Sequence, residues 1–275
     1  MSKALVVLSG GQDSTTCLFW ALQNFEYVEA VTFDYNQRHH IEIEAARRVA
    51  TLADVPHEVI KVGPLLRGRS PLTNHDEQLE TYSDYETMDK TIGDRVELTF
   101  VPMRNAFFLT LAANIAICKD IKTLVTGVCQ ADNANYPDCR QDFIDAQQYT
   151  INEALGLMSD DCDQKFRIQT PLMNLTKAES IDLALQIPHA YTALAFSHTA
   201  YDGQYPPVGK DHATTLRAHG FEEAGIPDPL VLRAYMEGLM VLPTTQNYSE
   251  GAIHLGTLDL IMNLKSHLQS KGFDL

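Results

Sequence analysis

Residues 4–8, ALVVL, form an apolar run closed by Ser9-Gly10-Gly11, the pattern of a buried strand that ends in a tight turn. Behind the turn, Cys17, Leu18, Ala21 and Leu22 fall on one helical face. The alternation then repeats. Val28–Tyr35 reads as a strand, Ile41, Ala45, Val49 and Leu52 as a helical stripe, and His57–Val62 as a third strand. Further on, an apolar helix is expected over Asn105–Cys118, a strand over Thr123–Val128 and a helix from about Arg140 to Leu155. A strand over Phe166–Thr170 and a helix over Lys177–Ile187 follow, the helix opened by the capping box Thr176-x-x-Glu179. Strands alternating with helices predict an α/β fold, a Rossmann-like parallel sheet with helices on both faces.

Two segments depart from this rhythm. Residues 63–99 are polar, acidic and turn-rich with no apolar period, and read as a long excursion that is either a lid or a solvated surface loop. After residue 188, Pro and Gly are frequent and only short helical patches recur. The expected division is an α/β domain over 1–190 and a C-terminal helical and loop region over 191–275 packed on it.

Composition narrows the function classes. Thirty-six acidic residues against 21 Lys and Arg give a net charge of -15, so a nucleic-acid polymer is a disfavoured partner. No apolar run approaches the roughly 20 residues that span a bilayer, and the apolar N-terminal run leads into a glycine turn without a cleavage site. No membrane association is expected, and the expected location is cytoplasmic. The five cysteines (Cys17, Cys118, Cys129, Cys139 and Cys162) are odd in number and lack CxxC spacing, so neither a disulfide framework nor a zinc ribbon is visible.

The chemistry concentrates in Ser9-Gly10-Gly11-Gln12-Asp13-Ser14, between the first strand and the first helix. Two glycines let backbone approach a phosphate, and a helix N-terminus behind them offers unpaired N–H groups and a positive dipole end. Ser9 and Ser14 add hydroxyls. Asp13 beside phosphates calls for a bridging cation, which makes it a candidate Mg²⁺ ligand. The segment is neither GxxxxGK[ST] nor GxGxxG; its bland alternative is a capped glycine turn. Asp132, Tyr136, Asp138 and Arg140 follow a strand's carboxyl end, where they could line a ligand site or form an ordinary polar turn.

SGGQDS resembles the pyrophosphate loop of the N-type ATP pyrophosphatases, whose members cleave ATP between the α and β phosphates and attach AMP to a carboxylate or carbonyl oxygen. Five further motifs occur in one order: Phe33–His39, Phe100–Asn105, Thr126–Cys129, Tyr136–Arg140, and Thr170–Met173 with Lys177-Ala178-Glu179. Together they resemble the 7-cyano-7-deazaguanine synthase family of the queuosine pathway, from about residue 4 to about 220. The resemblance implies an adenine nucleotide alpha hydrolase-like fold and an AMP-forming carbon–nitrogen ligase. Such an enzyme uses ATP and Mg²⁺ to join ammonia to 7-carboxy-7-deazaguanine, through an adenylated carboxylate and then an activated amide, to give the nitrile. It further implies an ATP site of Leu8, Ser9, Gly10, Gly11, Gln12, Asp13, Ser14, Phe33, Arg38 and Gly127. The implied substrate residues are Gln37, Arg104, Asn105, Cys129, Asp132, Tyr136, Asp138 and Arg140, and the implied catalytic groups are Asp13, Ser14, Arg104 and Lys177. A homodimer is implied by analogy alone.

One departure stands out. The family usually carries four zinc cysteines before a Leu-Arg pair. Leu216-Arg217 is present, but the matching positions are Ala200, Val208, Asp211 and Thr214. No zinc site is expected. The loss, with the tail beyond residue 220, keeps open a paralogue that passes the activated base to a protein amine in a defence system; a nucleotide-binding homologue without turnover is a further alternative, against which the complete SGGQDS and Lys177 argue.

Overall fold

The computed structural model describes residues 1–130, 135–157 and 165–275. Its centre is a five-stranded sheet of order β3-β2-β1-β4-β5, all neighbours parallel. The strands are β1 (Lys3–Val7), β2 (Tyr27–Asp34), β3 (His57–Lys61), β4 (Thr123–Val125) and β5 (Arg167–Gln169). Around them run α1 (Gln12–Asn24), α2 (Ile41–Leu52), α3 (Tyr85–Ile92), α4 (Arg104–Cys118), α5 (Gln141–Leu155), α6 (Lys177–Gln186) and α7 (Ala190–Ala193). The C-terminal part adds α8 (His212–Glu223), α9 (Pro229–Met236) and α10 (Leu255–Ser270).

The continuous apolar run of β1 has a simple cause: both faces of the strand are buried. Ala4, Val6 and Leu8 enter one core with Leu18 and Ala21 of α1, Val49 of α2 and Ile181 of α6. Leu5 enters the other with Phe108, Leu109 and Ala112 of α4 and Ile144 and Ile151 of α5. At about 25 cal/mol per Å² of apolar surface removed from water, these two layers dominate the stabilisation of the sheet. Chain order reverses between β1 and β4, which opens a crevice at their carboxyl ends, where doubly wound sheets hold ligands.

The expected elements recur with two differences. The ladders of β4 and β5 are three residues each, shorter than 123–128 and 166–170, because the chain peels away at the crevice. Leu22, expected on the buried face of α1, is exposed. The 63–99 excursion is also more ordered than its polarity suggested. It contains α3, capped by Asp84, whose side chain accepts from the Thr87 N–H at 2.8 Å. Its buried apolar side chains, Met88 and Ile92, pack with Tyr82 against Leu216 of α8. No further strand follows β5 among the described residues. Instead α10 packs on α7, α9 and α2, joining a small core of Phe196, Leu232, Ile261 and Leu268. Among the described residues no helix is long and apolar enough to cross a membrane.

Candidate active site

The loop after β1 closes on itself through its two serines. Ser14 Oγ accepts from the N–H groups of Ser9 and Gly10 at 3.2 and 3.3 Å, and Ser9 Oγ accepts from the Gly11 N–H at 3.2 Å. Gly11 caps α1 without a side chain, so the first-turn amides of α1 are left for a ligand. Gly10 has φ +95°, and a Cβ there would lie 2.2 Å from the Glu42 carbonyl oxygen in α2. Only glycine fits. A Cβ on Gly127 would lie 3.0 Å from the Ser14 nitrogen, so Gly127 lets the exit of β4 press against the start of α1. Gln12 is buried at the cavity wall with both amide atoms lacking a hydrogen-bond partner, an arrangement that native folds rarely leave without a function.

Opposite the loop stands Lys177, the first residue of α6. The expected capping box forms in full: Glu179 N–H donates to Thr176 Oγ1 at 3.2 Å, and Thr176 N–H to Glu179 Oε2 at 2.8 Å. That box fixes the helix start and aims the lysine. Lys177 Nζ donates to Asp13 Oδ1 and Oδ2 at 3.0 and 2.8 Å. Gly220 of α8 clamps the lysine stem, since a Cβ there would meet Lys177 Cγ at 2.4 Å. His212, buried beside this pair, has both ring nitrogens unpartnered. Burial, and then the charge of Lys177, pull its pKa down to about 4, so it is a neutral imidazole at pH 7.

The third wall is built on the N-terminus of α4. Met103 at φ +65° turns the chain so that Arg104 opens the helix. Asn105 ties α4 to the Pro137–Cys139 turn: its N–H donates to Asp138 Oδ2 at 3.2 Å and its Nδ2 to the Asp138 carbonyl at 2.9 Å. Asp138 Oδ1 is buried without a partner, and burial pushes the carboxyl pKa up. Burial works against the charge of Arg104, but Tyr35, Tyr136, Tyr201 and Asp138 around it outweigh burial and raise its pKa. The Tyr136 hydroxyl is held by Thr99 and Glu97, so the 63–99 excursion reaches into this wall. Phe33 stacks on Phe108 with ring centroids 4.7 Å apart at the cavity floor.

These walls enclose one cavity of about 350 Å³. Of the residues expected from sequence, Leu8, Ser9, Gly11, Gln12, Asp13, Ser14, Phe33, Gln37, Arg104, Asn105, Gly127, Cys129, Tyr136, Arg140 and Lys177 line it. Three do not. Gly10 lies behind the loop against α2. Asp138 sits behind Asn105. Arg38 is directed elsewhere: its Nη2 donates to the carbonyls of His75 and Glu77 at 3.0 and 2.6 Å, fastening the excursion. A guanidinium committed to backbone carbonyls is not a phosphate ligand in this conformation. Asp132 lies outside the described residues. Cys129 donates to the Leu175 carbonyl at 3.0 Å, and Gln37 uses its amide to brace the turn after β2.

The cavity also takes residues that sequence reasoning missed: Tyr35, His39, Glu42, Thr199, Tyr201, His212 and Arg217. His39 Nε2 lies 3.0 Å from Glu42 Oε2, an i,i+3 pair readable as a helix-start spacing. Tyr35 directly follows β2, while Thr199, Tyr201, His212 and Arg217 come from the segment after α7, whose lack of periodicity hid them. That segment is organised by Arg217, which is 3% exposed and donates to both Asp228 oxygens at 2.6 and 2.8 Å. Its remaining donors reach Ser197 Oγ and Thr199 Oγ1, both at 2.9 Å, and the Leu194 carbonyl at 3.2 Å. Of the four positions where the family usually has cysteine, Asp211 caps α8 by accepting from the Thr214 N–H at 3.0 Å, Ala200 is buried, and Val208 is exposed. Among the described residues no group of three or more His, Cys, Asp or Glu is placed to hold a metal ion.

A parallel sheet of order 3-2-1-4-5, with a serine–glycine loop and a helix N-terminus at its switch point, defines an adenine nucleotide alpha hydrolase-like fold of the pyrophosphate-loop kind. Sequence comparison then gives the family. Residues 3–225 match the family model described as queuosine biosynthesis protein QueC, and the chain belongs to that family. It is 48% identical over 233 residues to a 7-cyano-7-deazaguanine synthase of Gloeobacter violaceus, covering 84% of this chain and 96% of the relative. It is 37% identical over 232 residues to one of Psychrobacter cryohalolentis, covering 82% and 88%. Among solved structures, an NH3-dependent NAD synthetase from Campylobacter jejuni aligns over 100% of this chain and 88% of its own, at 14% identity and a TM-score of 0.36.

Proposed function

We propose that the chain converts 7-carboxy-7-deazaguanine and ammonia to 7-cyano-7-deazaguanine, consuming two ATP and releasing two AMP and two pyrophosphates. The observation that carries this reading is the single cavity that sets the loop wall, with Lys177 and Asp13, across from the Arg104–Asn105–Tyr136 wall. Family membership supports the substrate class.

The roles follow from charge and geometry. The first-turn amides of α1 and the hydroxyls of Ser9 and Ser14 are donors suited to a departing pyrophosphate. Lys177 supplies an aimed cation for charge that develops on the phosphates. Arg104, kept charged in a half-buried wall, suits the carboxylate of the base, and Tyr136 offers it a flat apolar face. Asp138, behind Asn105, holds that residue in place through its Oδ2 and its carbonyl, and so braces the wall against which the base would rest. A carboxylate oxygen attacks the α phosphorus and pyrophosphate leaves. Ammonia then displaces AMP to give the amide and a proton. The amide oxygen attacks a second ATP, and loss of AMP and a proton leaves the nitrile.

Asp13 and Glu42 are the carboxylates of the cavity wall among the described residues, and Glu42 is paired with His39. Asp13, one carboxylate next to a phosphate loop, fits Mg²⁺ held jointly with phosphate oxygens. Bound there, the ion would neutralise phosphate charge, and Lys177 and Asp13 would exchange their mutual contact for contacts to the nucleotide. The test is AMP release by the purified protein. Release that requires both the carboxy base and ammonium is expected; release indifferent to the base overturns the reading, and a mass gain on a protein amine would instead favour the transferase.

A further inference from the structure

A second cavity, of about 320 Å³, lies behind the first, between α2 and the C-terminal helices. One side comes from the family core, with Ala45 and Arg48 of α2 and the Phe196–His198 segment. The other comes from the stretch beyond the family match at residue 225, with Arg233 and Glu237. Two guanidinium groups therefore face one small space, and most of their donors are unspent.

Arg233 is 4% exposed. Its Nε donates to the Tyr205 hydroxyl at 2.9 Å and its Nη1 to the Ala195 carbonyl at 2.8 Å, while Nη2 makes no hydrogen bond. Its plane is fixed between aromatic rings, 4.3 Å from the Tyr205 centroid and 5.0 Å from that of Phe196. Arg48 spends a single donor, in a long 3.4 Å bond to the Asp274 carbonyl, and its buried Nε has no partner. Of the acids at the cavity, Glu237 divides itself between Lys265 at 2.5 Å, the Tyr205 hydroxyl at 2.6 Å and a longer 3.5 Å contact to Arg233 Nε, while Asp274 meets Arg48 through its backbone carbonyl. One buried and one half-buried fork thus keep unspent N–H groups on the same space, among them the buried Arg48 Nε, and a buried donor without an acceptor costs stability until one answers it. Burial, and then the charge of Arg233, pull the Arg48 pKa down, with Glu44, Tyr205 and Glu237 acting the other way.

We propose that this cavity is a binding site for a compact oxyanion, a phosphate or a short carboxylate, held in bidentate fashion by Arg48 and Arg233. Its wall is shared with the loop of the first site: the His198 N–H donates to the Gly10 carbonyl at 2.8 Å, and Ser197 Oγ accepts from Arg217. Occupancy is thus one hydrogen bond away from Gly10. The proposal does not depend on which reaction the first cavity performs.

Calorimetric titration of the full chain with inorganic phosphate, and separately with malonate, tests the site. Saturable phosphate binding is expected that survives S14A, which alters the loop after β1, and weakens at least about tenfold in R48Q. R48K, which keeps the charge but loses the planar fork, is expected to weaken binding by a smaller factor and serves if R48Q does not fold. Malonate that competes with phosphate assigns carboxylates to the site; malonate without effect restricts it to phosphates. A response unchanged in both Arg48 variants, a response abolished by S14A, or no response to either anion overturns the proposal.

Discussion

The loop wall and the C-terminal wall of the same cavity are built by opposite means. Residues 9–14 hold their shape with short side chains and backbone, two serine hydroxyls and a glycine that α2 would otherwise strike. The segment from Leu194 to Arg217 has no such local geometry. It hangs on one buried guanidinium, which reaches Asp228 outside the family match. The first kind of wall is local in sequence, spends the Ser9–Gly11 amides on its own serines and leaves the first-turn amides of α1 for a ligand. The second is long-range and spends its donors inward, which suits a wall that must stay put rather than react.

The largest effect should come from the loop side. K177M keeps the helix cap and removes the cation, and is expected to lower AMP release by about 100- to 1000-fold with little change in the unfolding midpoint. A variant that unfolds, or one that keeps its activity, would erase the distinction between reacting and supporting walls.

The supporting wall is tested by R217M, which strands Asp228 in the interior. Breaking a buried pair in this way costs about 3–5 kcal/mol, read by denaturant unfolding. If R217M is as stable as the unaltered chain, the guanidinium does not organise the segment. G10A probes the loop wall in the same units, with an expected loss of about 1–3 kcal/mol from the strained φ, and more if α2 cannot yield to the new Cβ.

Acid sensitivity sharpens the comparison further. His212 titrates near 6.5 in the unfolded chain and near 4 in the fold. Between those values the unfolded chain holds the extra proton. The His212 contribution is therefore complete above about pH 6.5 and is lost as the pH falls toward 4. His57, likewise lowered to about 4, adds the same trend. H212Q is expected to flatten, not abolish, the decline in unfolding midpoint between pH 7 and pH 5; an unchanged slope would remove His212 from the cause. The smallest effect is expected of R38A. Its guanidinium fastens residues 74–77, so nucleotide affinity should change less than about twofold, while protease cleavage near residue 75 rises. A large loss of affinity would return Arg38 to the ATP site.

This contrast also explains what could be read from the chain. The strand pattern, the glycine loop and the Thr176–Glu179 cap are local, so their positions follow from a few neighbouring residues. Helix α3 went unseen because just two apolar side chains of its eight residues, Met88 and Ile92, are buried, too few to set a period. Tyr201, His212 and Arg217 were not read as cavity residues for another reason: their neighbours in space lie far away along the chain, at Arg104, Lys177 and Asp228. Arg38 shows the reverse case, a basic residue within a family motif whose Nη2 serves a carbonyl cluster that no local pattern announces.

The central claim, that one cavity activates the carboxylate of a deazaguanine with ATP, is tested most directly by following oxygen. With both carboxylate oxygens of the base labelled with ¹⁸O, and with Mg²⁺, ATP and ammonium present, mass spectrometry should find one label in each of the two AMP molecules and none in the nitrile. AMP without label, or label released into water, would contradict the adenylate and with it the account.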